Sequence, residues 1–333
     1  MSSANPPAAD PPPLPPGPAE EIAIVWRALP GKGLVVAVTL AWIALFHFLG
    51  NATFGYIDTR SLFGWLNYVY NLSQDDEIGR YMPLIVLGLC WWKRDEILAV
   101  PKSPWAGGLA LVALALFVHL LGFVVQQTRL SVLAFYLGLY GLLGTLWGRQ
   151  FLRATFFPWF LLIFCVPLGT MADTITFPLR LLATRITTGF GEYLLGIDLI
   201  QNGTQILDAR GSYQYEVAAA CGGLRSLTAT LALASIYACL VLPRPGRRLP
   251  MILAAFPLAV AGNVLRLVTI IVTAEAFGQK GGDWVHENAI LSLLPYVPAF
   301  LGLGALGAWL RDKPAPHPQP ARPTPALADP QSP

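Results

Sequence analysis

Long apolar runs broken by short clusters of charge set the pattern of this chain. Runs close to the roughly 20 residues that cross a bilayer extend over Leu34 to Gly50, Trp105 to Val125, Leu130 to Trp147, Leu224 to Leu242, Met251 to Phe277 and Ala289 to Leu310. Cytoplasmic loops collect Lys and Arg, so the charges between runs set an orientation. Arg27 and Lys32 precede the first span, near 34–54. The loop from Gly55 to Gly79 holds Asp58, Asp75, Asp76 and Glu77 and is expected outside. A short span near 80–92 returns to Lys93, Arg94 and Lys102. Spans near 104–125 and 130–147 go out and back to Arg149 and Arg153, and one near 154–171 goes out again. Those near 222–242, 250–277 and 288–310 then reach Arg244, Arg247 and Arg248, the outside, and Arg311 and Lys313. The pattern predicts an all-α polytopic membrane protein of about eight spans with both ends cytoplasmic.

Two stretches do not fit simple spans. Thr174 to Leu199 sets Arg180, Arg185 and Glu192 at helical spacing among apolar residues, which predicts an amphipathic helix on the outer surface or a re-entrant segment. The sequence GTQILDARGSYQYEV (203–217) alternates around a turn signal at Asp208 to Ser212, which predicts a β-hairpin. A small extracytoplasmic helix and hairpin therefore lead into the span that opens at residue 222.

Composition agrees with this reading. The 333 residues are 55% hydrophobic and only 12% charged, about half the charged share of a soluble domain. Pro-rich sequence places disordered tails at 1–30 and 313–333 around a membrane domain at 31–312. The N-terminus lacks the order of a cleaved signal peptide, so the first span is expected to direct its own insertion. The net charge of +3 gives no reason to expect nucleic acid as a partner. Cys90, Cys165, Cys221 and Cys239 make no CxxC and lie in or beside apolar segments, so no disulfide framework is expected. There is no metal-ligand spacing, phosphate-binding loop or dinucleotide fingerprint, and no cofactor is expected.

The candidate chemistry lies in the last third. In EVAAACGGLRS (216–226), Cys221 stands at the outer, N-terminal end of a span. Unpaired amides and the positive end of a helix lower a thiol pKa. The amides of Gly222 and Gly223 can approach a ligand closely as oxyanion donors. The same stretch also fits a tight strand-to-helix join packed with small residues. Arg266 interrupts an apolar span at a cost of about 3 kcal/mol, and Asn263, one turn earlier, can orient it. A helix-gluing or snorkelling arginine is the plainer alternative. His286, in GGDWVHENAI (281–290), follows a turn at Gly281 and Gly282. Asp283 can cap the next helix, and Asp283 or Glu287 can orient the imidazole. His47 and His119 lie in separate spans, and His317 lies in the tail. Arg225 competes with Arg266 for the cationic role. A thiol, a base and a cation on one side of the membrane are the parts of cysteine-based acyl transfer.

ACGGL (220–224), NVLR (263–266) and His286, in that order, with FPWFLLIFCVP (157–167) and the outer hairpin, resemble the exosortase/archaeosortase family of membrane cysteine peptidases and transpeptidases. The resemblance covers about 80–310. It implies Cys221 as nucleophile, His286 as acid and base, and Arg266 as transition-state partner. It also implies, as partners in the bilayer, exported proteins bearing a C-terminal signature such as Pro-Glu-Pro, a membrane helix and a basic cluster. It further implies that the tail is removed through a thioester passed to water or an amine. The expected location is a prokaryotic inner or plasma membrane, with the site facing outward. The chain departs from the family pattern at Gly222, where Ser or Thr is common, and in SQDDEIGRYMP (73–83), which lacks a histidine-glycine element. The residues alone also admit a membrane acyl or lipid transferase using the same cysteine, or a transporter with Arg266 lining the path.

Overall fold

The computed structural model describes residues 17–311 apart from 54, 74–75, 170, 217–223, 243 and 289. It is an all-α polytopic membrane fold with one small sheet. The helices are α1 (Pro18–Ala28), α2 (Lys32–Leu49), α3 (Leu62–Leu72), α4 (Met82–Trp92), α5 (Arg94–Ala99), α6 (Gly107–Val124), α7 (Thr128–Phe160), α8 (Met171–Leu195), α9 (Leu224–Val241), α10 (Pro245–Leu253), α11 (Ala255–Phe277), α12 (Gln279–Glu287) and α13 (Tyr296–Leu310). Among the described residues, four helical stretches are long and apolar enough to cross a membrane, and Met82–Trp92, Ser226–Val241 and Tyr296–Leu310 are shorter apolar helices. Residues 18–28, placed above with the N-terminal tail, form α1, which joins α5 through a 3.3 Å ion pair between Glu21 and Arg94.

The stretch Thr128–Cys165 contains two spans, as its charges predict. Gly148 has φ 91° and ψ 173°, and there the chain turns back. The rings of Tyr140 and Trp159 stack with centroids 5.3 Å apart, and the Trp159 indole donates to the Tyr136 carbonyl at 3.1 Å. One unbroken helix would hold residues 140 and 159 about 28 Å apart. Only glycine serves at the break. Its backbone is left-handed, and a Cβ would stand 2.1 Å from the Ser103 carbonyl oxygen.

Contacts define two ends of the bundle. At one, the Trp147 indole donates to the Pro30 carbonyl, the Trp105 amide donates to the Thr145 carbonyl, and Arg247 donates to the Leu310 carbonyl. At the other, Thr128 donates to Asn51, Arg129 donates to the Pro167 carbonyl, and the Asp76 carboxylate accepts from the amides of Leu168 and Gly169 at 2.8 and 3.2 Å. The short α4 connects the two ends: the turn before it meets Tyr70, and Arg94 after it meets Glu21. Asp76 belongs to the acidic loop that the charge pattern predicts to be outside. It is buried and holds the 167–169 turn.

The region before α9 differs in two details from expectation. The helix ends at Leu195 rather than near 199, and Leu199–Asn202 forms an additional strand, β1. It pairs antiparallel with β2 (Gln205–Asp208), which pairs antiparallel with β3 (Gln214–Glu216) in the order β1-β2-β3. The β2–β3 hairpin turns at Asp208 to Ser212 as predicted, with the Asp208 carboxylate accepting from the Ser212 amide and hydroxyl. The sheet buries Leu199, Ile206, Tyr213 and Tyr215 against Leu267, Ile270, Ile271 and Ala274 of α11 and Val285 of α12. The helix α8 is inside out compared with a soluble amphipathic helix. Thr176, Arg180, Thr184, Thr187 and Thr188 are buried, while Leu182, Ile186, Phe190 and Leu194 are exposed.

Gly148→Ala is expected to cost about 1–3 kcal/mol through backbone strain and to lower the thermal unfolding midpoint in detergent. An unchanged midpoint would show that the turn tolerates a side chain.

Candidate active site

Cys221, Gly222 and Gly223 lie outside the described residues, as does the Arg225 side chain. What is described is the frame at either end of that segment. On one side is β3, ending at Glu216, and on the other is α9, beginning at Leu224. Both ends are fixed to the helices that carry the other candidates. The Tyr215 hydroxyl donates to the Gln279 carbonyl at 2.9 Å, and the Gln214 amide donates to Gln279 Oε1 at 3.0 Å. The Tyr213 hydroxyl donates to Glu275 Oε2 at 3.1 Å, and α9 packs along α11.

Two of the predicted residues meet. Arg266 stands near the middle of the 23-residue α11, and its Nη2 donates to the His286 carbonyl at 3.2 Å. The close approach rests on Gly262, where a Cβ would lie 2.0 Å from the Pro295 carbonyl oxygen. Only a bare backbone lets α11 lie against the chain that leaves α12. Asn263 is buried one turn from Arg266, but among the described residues it makes no hydrogen bond to the guanidinium. The carbonyl on α12 fills the orienting role expected of it.

The surroundings of His286 also differ from the prediction. Gly281 and Gly282 are inside α12 and form no turn. The helix begins after Gly278, so Asp283 caps nothing. Its Oδ1 accepts from Gln279 Nε2 at 2.9 Å, and its charge adds to the burial that raises the pKa of the Tyr215 hydroxyl. A Cβ at position 282 would stand 2.0 Å from that hydroxyl, so glycine there lets β3 seat on α12. Glu287 is the exposed last residue of α12. The imidazole of His286 is held below its usual value of 6.5, first by burial and then by the Arg266 charge, against the smaller opposing pull of Asp283 and Glu287. A neutral imidazole is the form able to accept a proton.

The remaining histidines and cysteines have other surroundings. His47 Nδ1 lies 3.2 Å from the Ser61 hydroxyl, and His119 Nδ1 lies 2.9 Å from the Ser131 hydroxyl. Cys90, Cys165 and Cys239 are free thiols. Among the described residues no cluster of His, Cys, Asp or Glu can hold a metal ion. Sequence reading missed Tyr213, Tyr215 and Gln279, which tie the sheet to α11 and α12. The alternation of SYQYEV was a signal that both tyrosines share one face.

The family model for transmembrane exosortases (Exosortase_EpsH) matches residues 65–309. The chain belongs to the transmembrane exosortase family. Comparison with curated proteins and with solved structures gives no match. Membership makes this exosortase-family chain a multi-pass membrane protein with a general transpeptidase or protease role, acting on exported proteins with sorting tails.

His286 should titrate below 6.5, and Arg266→Gln should raise its midpoint by removing a positive neighbour. The sign follows from a depressed folded-state value. The contribution of His286 to stability is complete above the unfolded value and is lost as pH falls through the folded one. Nuclear magnetic resonance of histidine-labelled protein, with His286→Gln for assignment, reads both midpoints. No shift in Arg266→Gln would separate the two groups.

Proposed function

We propose that this chain is a cysteine endopeptidase and transpeptidase that removes the C-terminal sorting tail of exported proteins. Cys221 is the nucleophile, His286 the acid and base, and Arg266 the cation at the transition state. The observation that supports this most is the Arg266–His286 hydrogen bond. It joins two residues 20 apart in sequence, one at mid-membrane depth in its helix and the other on a short helix outside it.

In this mechanism the His286 imidazole takes the Cys221 proton, and the thiolate attacks the scissile carbonyl carbon. The tetrahedral oxyanion is met by the guanidinium and by the amides of Gly222 and Gly223. Collapse breaks the C–N bond, and the imidazolium returns its proton to the leaving amine. The resulting thioester passes to water or to an amine, and the thiol is restored. No cofactor enters these steps. Asp283 and Glu287 act on the site through their opposing pull on the imidazole and take no part in bond changes. Both termini are assigned to the cytoplasm and the site to the outer face. The clustering of Arg94, Arg247 and Arg248 at the end of the bundle opposite Asp76 supports that orientation.

Mass spectrometry of exported-protein C-termini tests the assignment in hosts carrying wild type or Cys221→Ala at equal expression. Tails should be lost with wild type and with Cys239→Ala, and kept with Cys221→Ala. Arg266→Gln should reduce the rate about 10²–10³-fold, the range for losing an oxyanion donor. Intact tails in every host would overturn the peptidase assignment.

A further inference from the structure

Serine and threonine hydroxyls inside apolar helices usually return to the carbonyl four residues earlier. This chain does so repeatedly. Thr145 donates to Gly141, Thr155 to Phe151, Thr184 to Arg180, Ser235 to Leu231, Thr269 to Leu265 and Thr273 to Thr269, at 2.7–3.0 Å. Among the described residues, three buried hydroxyls have no hydrogen-bond partner of any kind, those of Thr187 and Thr188 on α8 and Thr230 on α9. The residues themselves are 0, 6 and 0% exposed. Arg266 Nε on α11 is also buried and unpartnered. These helices pack on one another pairwise. The unmet hydrogen-bonding groups therefore all belong to the helices of this three-helix seam, and one of them is on the residue that meets His286.

An unpaired buried polar group is costly and calls for an occupant. The peptidase mechanism supplies one. The scissile stretch, next to the start of the tail's membrane helix, must be extended to be cut, and where it is withdrawn from water its backbone groups need partners from protein. A threonine hydroxyl both donates and accepts, so it can serve either a peptide carbonyl or a peptide amide. A guanidinium N–H can serve a carbonyl. A phosphate headgroup would instead call for several cations.

We propose that Thr187, Thr188 and Thr230, with the Arg266 Nε–H, form the track that holds the extended backbone of the substrate tail next to the scissile bond. The proposal rests on the peptidase assignment above and adds the residues that grip the peptide independently of its side chains.

The test uses the full chain in lipid nanodiscs and a reporter protein ending in Pro-Glu-Pro, a membrane helix and a basic cluster. Thr187→Val, Thr188→Val and Thr230→Val should each lower kcat/KM about 5-fold, mainly through KM, with thermal midpoints unchanged or raised. Serine at each position keeps the hydroxyl and should retain most activity. Thr184→Val is the control, because that hydroxyl is equally buried but already bonded to the Arg180 carbonyl. It should cleave like wild type. Unchanged kinetics in all three valine variants would overturn the track, leaving the hydroxyls to water. So would equal losses in Thr184→Val, or serine variants as slow as valine, since both mark helix packing. A change in co-purified phospholipid without a change in KM would assign the seam to lipid and overturn it as well. If wild type and Cys221→Ala both leave the reporter whole, the peptidase assignment itself fails and the track falls with it.

Discussion

A guanidinium in the middle of an apolar helix is the constraint around which this site is arranged. Its insertion costs about 3 kcal/mol unless protein supplies acceptors. Here the acceptor is a main-chain carbonyl, that of His286. A carbonyl cannot be lost by side-chain motion, so the bond fixes the position of α12 as well as the charge. Gly262 makes the approach possible by letting α11 lie against the Pro295 backbone. The same charge then helps to keep the neighbouring imidazole neutral. One costly residue thus fixes where its partner sits and adds to the burial that keeps the imidazole neutral.

The rest of the fold holds that arrangement from two directions. Toward the candidate site, Tyr213 and Tyr215 reach from the sheet to Glu275 and Gln279, where α11 gives way to α12. Each such bond adds about 1 kcal/mol net, but their placement matters more than their sum. They bring the chain entering the 217–223 segment onto the helices that carry Arg266 and His286. At the opposite end, Arg248 donates to the Leu242 carbonyl and lies 4.2 Å over the ring of Phe157, while Arg247 donates to the Leu310 carbonyl. These arginines satisfy carbonyls that the ends of α9 and α13 leave open.

The helix α8 shows how a membrane fold inverts the usual burial rule. Lipid is as apolar as leucine, so nothing drives Leu182, Ile186 or Phe190 inward. The threonines and Arg180 have the larger penalty to avoid and turn toward protein. The interior of this half of the bundle is consequently its polar half, next to α9 and α11.

By itself the sequence determined the membrane class, the β2–β3 hairpin and the family. Each follows from local pattern: apolar run length, strand alternation with a turn signal, and ordered motifs. It also singled out Arg266 and His286, because an arginine in an apolar span and a histidine at its edge are visible without coordinates. Tertiary structure decided what those residues do to each other. The bond from Arg266 to a carbonyl rather than to Asn263 could not be read, since every residue has a carbonyl and sequence does not say which one comes near. The bond from Tyr215 to the Gln279 carbonyl and the burial of Asp76 under the 167–169 turn likewise depend on chain segments that meet only after folding.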